Sequence, residues 1–134
     1  MVYGDNWDPD RVLQTCGLQP TESARPHQNP RLLPFSEHLV GGESAGIWVL
    51  DTAAHVNSKD VKEHFQYLLD AVLPRLEQFN TATQGTGRAI TLDWESTLAG
   101  TVGPELPAAI LSGLAQLKAT LTILVHRIDE AAIS

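Results

Sequence analysis

At 134 residues, with 43% hydrophobic and 19% charged side chains, the chain has the make-up of one ordinary globular domain, which excludes wholesale disorder. Its formal net charge of −7 comes from 16 acidic residues against nine Lys and Arg; the basic residues form no cluster of the kind that binds phosphate by counterion release, so nucleic acid is not an expected partner. One cysteine, Cys16, leaves no intramolecular disulfide; with no secretory leader in the opening residues and no apolar run near the roughly 20 residues of a membrane span, cytoplasmic residence is expected.

The first three residues can form the end of a strand. Residues 7–18 predict a short helix: Asp8 caps it, Pro9 suits its first position, Val12, Leu13 and Cys16 make a narrow apolar stripe, and Gly17 ends it. From 20 to 46 the chain reads as a long loop punctuated by Pro20, Pro26, Pro30, Pro34 and Gly41-Gly42, able to hide a short strand at 37–40. Ile47-Trp48-Val49-Leu50 follows, a continuous β-branched and aromatic run that reads as a central strand buried on both faces.

Asn57 or Ser58 is then the expected cap of the best helix in the sequence. Val61, Phe65, Leu68, Leu69, Val72, Leu76 and Phe79 hold one face, and Pro74 predicts a kink or break. After a turn at Gly85 and Gly87, Ile90, Leu92 and Trp94 alternate with Thr91, Asp93 and Glu95, as in a strand with one buried and one wet face. Gly103-Pro104 is read as opening a third helix carrying Leu106, Ile110, Leu114 and Leu117, and residues 120–128 as a last strand with Leu121, Ile123 and Val125 inward and His126 outward. Helices that serve as crossovers imply some parallel pairing. The expected fold is a single α+β domain over 1–134, a two-layer sandwich whose mixed sheet of about four or five strands carries helices on one face, with a ferredoxin-like arrangement as the nearest common architecture.

Catalytic, metal-binding and cofactor-binding residues are not expected. His27, His38, His55, His64 and His126 show no close pair at ligand spacing, although His55 and His64 could meet in space. Cys16 sits on an apolar stripe without a base beside it, as a packed cysteine does. No serine occupies a nucleophile elbow, Asp93 and Glu95 read as a solvated strand face, and neither glycine pair has the context of a phosphate cradle. Of Trp7, Trp48 and Trp94, Trp7 is expected to be the one partly exposed.

Several of these residues together resemble a known family. Trp7-Asp8-Pro9-Asp10-Arg11-Val12, leading to Cys16-Gly17-Leu18-Gln19-Pro20-Thr21, then Gly46-Ile47-Trp48-Val49-Leu50, the helix from Asp60 and the closing segment 114–128 resemble the bacterial domain-of-unknown-function family 4279. The Gly-Leu-x-Pro-Thr turn and the Gly-x-Trp strand are its most specific parts. Members of that family often have a fuller first strand, and a tryptophan with a basic-Gly pair after the Pro-Thr turn; neither stands here. The resemblance implies a fold and a bacterial origin, and brings no catalytic residue.

Small size, acidic charge and the lack of catalytic groups point to a non-catalytic protein-binding domain, specifically an immunity protein that neutralises a basic toxin or effector. Its expected contacts are Glu22, Glu37 and Glu43 on the long loop with Asp93 and Glu95 on the wet strand face. One alternative is a small-molecule or enzymatic module with a pocket near Trp7, Trp48 and the 20–46 loop. Another is a structural homodimer whose last strand pairs with a second copy.

Overall fold

A glycine sets how the first two structured segments meet. In the computed structural model, which describes residues 1–28, 44–97 and 103–128, strand β1 (Val2–Asp5) turns at Asn6, whose φ is +54°. The chain then crosses over β3 (Ala45–Val49) at Gly46, where a Cβ would overlap the Trp7 carbonyl oxygen and lie 2.7 Å from its carbonyl carbon. Only glycine allows that approach. The Gly-x-Trp strand and the Trp-Asp-Pro segment are therefore two halves of one contact, which places Trp7 against Trp48 in the same core cluster.

The crossing leads into helix α1 (Asp10–Cys16), where the Asp8 carboxylate accepts the Asp10 N–H at 3.0 Å and Gly17, at φ +71°, ends the helix with its N–H on the Leu13 carbonyl. Val12 is fully buried, but Leu13 is 42% exposed, so the apolar stripe expected of this helix is narrower than the sequence suggests. Within the long loop, Glu22–Ala24 forms a short edge strand, β2, that pairs antiparallel with β3. The strand expected at 37–40 lies outside the described residues.

Helix α2 (Val61–Val72) begins two or three residues later than the predicted caps. Asp60 caps it by accepting the Lys62 N–H at 3.0 Å, while the Ser58 hydroxyl accepts the Asp60 N–H. Pro74 breaks the run as expected, leaving a 3-10 turn at Leu73–Arg75 before α3 (Leu76–Ala82). Helix α4 (Ala108–Leu117) starts at the second proline of its leader, Pro107, rather than at Gly103-Pro104; its Gly113 is where Leu69 of α2 seats closely.

Strands β4 (Gly87–Thr97) and β5 (Thr120–Ile128) flank α4 and pair in parallel from Ala89 opposite Thr120 to Thr97 opposite Ile128, the pairing that a helical crossover imposes. The sheet runs β2-β3-β1-β4-β5, antiparallel apart from that last pair. It is the open mixed sheet of a two-layer α+β sandwich. On the inner face Val2 and Trp48, each 2% exposed, meet Phe65, Leu69 and Val72 of α2, Phe79 of α3 and Ile110 and Leu114 of α4. On the outer face Ala24, Ala45, Ile47 and Val49 form a smaller buried cluster, which completes the prediction that β3 is buried on both sides.

Two expectations about exposure are corrected. Trp7 is only 6% exposed, because its indole N–H finds an acceptor inside, the Ala82 carbonyl at 2.9 Å. Ile123 and Val125 share the inner face with Leu92 and Trp94, their register partners, yet remain 40% and 63% exposed. They face the layer of the helices at a height where the core does not cover them.

Candidate functional site

The sheet forks beside β1. This strand pairs with β4 only through Val2 opposite Arg88 and Tyr3 opposite Gly87, and the Met1 amino group and carbonyl exchange hydrogen bonds with Ala89 at 2.8 and 2.9 Å. Burial lowers the pKa of that amino group to about 6. Backbone groups of a strand alternate between its two sides, so Thr91, Asp93 and Glu95 present their N–H and C=O toward the same side as Ala89. Among the described residues no strand pairs with them there.

Below this free edge lies a cleft of about 210 Å³ between β3, β4 and α2. Its floor is buried and apolar, formed by Val2, Trp48, Phe65 and Leu117; Leu50, Leu68, Ile90 and Leu92 make half-buried walls, and Asp51, Thr91 and Asp93 stand exposed at the rim. The Trp48 Nε1 is buried with no hydrogen-bond partner among the described residues, a state that costs a donor its solvation without repayment. His64, on the wall, is fully engaged: its Nε2 donates to the Ser58 carbonyl at 2.6 Å and its Nδ1 meets the Thr52 hydroxyl at 2.7 Å. It pins the loop before α2 rather than reaching for a ligand. The alternative pocket expected near Trp7, Trp48 and the loop is thus corrected in one respect, since Trp48 lines the cleft and Trp7 does not.

The outer face of the sheet collects negative charge. Parity along the paired strands puts Glu22, opposite Val49, on the same outward side as Asp93 and Glu95. All three are exposed. Two strands, β3 and β1, separate Glu22 from β4, a lateral gap of roughly 14 Å at ordinary strand spacing. Asp93 contacts His126 at 3.1 Å, both of them more than half exposed, and the other ion pair among the described residues joins Arg25 to Asp10. Among the described residues Glu22 and Glu95 have no ion pair. Glu37 and Glu43, the remaining expected contacts, lie outside the described residues.

The other chemistry-bearing side chains hold the fold. The Arg88 guanidinium lies 4.8 Å over the Phe79 ring and donates to the Leu117 carbonyl at 2.8 Å, Asn80 Oδ1 at 2.7 Å and Thr83 Oγ1 at 2.8 Å, tying β4 to α3 and to the end of α4. Partial burial lowers its pKa. Cys16 packs against the core, and burial raises its thiol pKa, partly opposed by the Arg75 charge. His55 stacks on Tyr67 with centroids 5.0 Å apart. Among the described residues no group of three His, Cys, Asp or Glu side chains could hold a metal ion, and no helix is long and apolar enough to cross a membrane.

Sequence reasoning found the wet face of β4 but missed the free edge and the cleft beneath it. A family model described as "Domain of unknown function (DUF4279)" matches residues 1–127. No curated protein and no solved structure matches the chain.

Proposed function

We propose that this chain, which belongs to the DUF4279 family, is a non-catalytic protein-binding domain that captures a basic partner on the outer face of its sheet, and that it acts as an immunity protein neutralising a cognate toxin. The observation that carries the reading is the exposed carboxylate set Glu22, Asp93 and Glu95 on one face, only one member of which has an ion-pair partner among the described residues. Within a net charge of −7, such a face steers and orients a positively charged protein, and toxins that attack nucleic acid carry the complementary charge.

The test is capture of partners from the native cells at low and moderate salt, followed by charge reversal of Glu22, Glu37, Glu43, Asp93 and Glu95 together. One basic protein retained in stoichiometric amount, released by salt and bound at least about tenfold more weakly by the reversed chain, is the expected result. Unchanged affinity after reversal would end this reading. A small-molecule role has one observation in its favour, the unpartnered Trp48 indole at the cleft. The homodimer reading has another, the run Ile123, Leu124 and Val125 exposed on edge strand β5; mass by light scattering decides it.

A further inference from the structure

On the outer face of the β4–β5 pair one side chain is of the kind that changes charge near neutral pH. Parity along the parallel ladder sets Thr91, Asp93 and Glu95 of β4 beside Thr122, Leu124 and His126 of β5 on that face. His126 is the register partner of Glu95, and its imidazole reaches along the diagonal to Asp93, with Nε2 3.1 Å from Oδ1. Both side chains of the pair stay open to solvent, at 58% and 55% exposure. The histidine thus touches one of two carboxylates and stands opposite the other.

No other charged group competes for this position among the described residues. β5 pairs with β4 alone, and Arg88 of β4 is held by Leu117, Asn80 and Thr83 on the inner side. Arg127, the other charged residue of β5, is the register partner of Ser96. Helix α4, in the layer across the sheet, carries no Asp, Glu, Lys, Arg or His.

We propose that His126 regulates the acidic face: protonation of its imidazole offsets the Asp93 charge and loosens the hold on a basic partner, which is therefore released on acidification. The proposal rests on the reading of this face as the capture surface and adds its regulation. Acidification charges an imidazole before it discharges a carboxylate, since the ordinary values are about 6.5 against about 3.9 to 4.3. A carboxylate can only accept, so the ring nitrogen donates to Asp93 in either state. With the ring neutral, Asp93 and Glu95 present both of their charges; with the ring protonated, one of the two is offset within the pair. Linkage makes the effect reciprocal, so capture of a basic partner expels the proton from the ring. One unit charge about 6 Å from a bound ammonium, in a medium like water and at low salt, changes affinity about threefold.

The experiment uses the whole chain, its His126→Gln variant and a fluorescently labelled peptide of about eight lysines with blocked ends, whose charge is constant between about pH 5.5 and pH 8. Binding is read by anisotropy at those two pH values and one low ionic strength. Glutamine keeps a neutral donor for Asp93 and cannot be charged, so at pH 8 the two proteins should bind the peptide alike. At pH 5.5 the variant should bind about threefold more tightly than the unchanged chain. The other histidines are common to both proteins and cancel in that comparison. Equal affinities at pH 5.5 would overturn the regulation by His126 while leaving capture by the acidic face standing. Peptide binding at pH 8 that survives reversal of Glu22, Glu37, Glu43, Asp93 and Glu95, or no binding there at all, would end the reading of the face and the regulation with it.

Discussion

The centre of the sheet and its β4–β5 side are built from the same kind of pattern and have opposite fates. In β3 and β1, Val2 and Trp48 point to the helices and are 2% exposed; in the β4–β5 pair, Leu92, Trp94, Ile123 and Val125 point the same way, and Val125 is 63% exposed. Alternation fixes which side of a sheet a residue faces, but whether that side is covered depends on where the helices lie. Here α2, α3 and α4 cover the centre, and the parallel pair continues past β1, which meets β4 only at its first residues. Among the described residues the centre is therefore the better-covered half, and the far end of the β4–β5 pair is the more exposed one.

The largest effect should come from the centre. In Gly46→Ala a methyl group would overlap the Trp7 carbonyl, and the crossing of the first segment over β3 could survive only by moving the chain. A loss of about 4 kcal/mol or more is expected, a large share of the total stability of a domain this size, read as a fall in the denaturation midpoint or as failure to fold. Next is Phe65→Ala, which removes a buried ring at the floor of the cleft; urea unfolding should show a loss of about 3–5 kcal/mol. A loss well below that range would mean that the cleft end of the core is loosely packed, and would blur the contrast between the two regions.

The tryptophans sharpen it. Trp7→Phe strands the Ala82 carbonyl, which now accepts the indole N–H at 2.9 Å, and should cost about 1–3 kcal/mol for the unpaired group in addition to lost packing. Trp48→Phe removes a buried N–H that has no partner among the described residues, so part of its packing loss is offset and the smaller cost is expected there. Equal costs by chemical denaturation would show that the Trp48 N–H is satisfied in solution.

Much of this fold was legible because its central elements combine two signals each. β3 is an apolar β-branched run between Gly46 and Asp51, and α2 has both a 3.6-residue apolar period and Pro74 to end it. The elements that escaped carry one weak signal or none. Glu22-Ser23-Ala24 is an edge strand with a single buried side chain, so its hydrophobic pattern has nothing to alternate. The start of α4 was ambiguous because Pro104 and Pro107 both suit a helix entrance, and only the extended backbone of Pro107, at ψ 155°, marks the true cap. Trp7 is expected from sequence to be partly exposed, and only the fold supplies the Ala82 carbonyl as an acceptor for its indole. The acidic face could be read from the alternation around Asp93 and Glu95, but its sharing with Glu22 could not, because register between distant segments leaves no mark in local pattern.

The smallest expected effect tests the exposed region directly. Val125→Thr keeps the branched shape and the strand preference of the side chain while adding a hydroxyl, a change that would be costly in the core, where the hydroxyl would need a partner. At a position 63% exposed, water supplies that partner, and the change in unfolding free energy should stay within about 0.5 kcal/mol. A loss of 2 kcal/mol or more, on the scale of burying an unpaired hydroxyl, would mean that the far end of β5 is covered in solution. If that loss grew with protein concentration, the cover would be a second copy, because stability gained from association follows mass action. A neutral result would leave the inner side of the β4–β5 pair as open surface, and the contrast with the covered centre would stand.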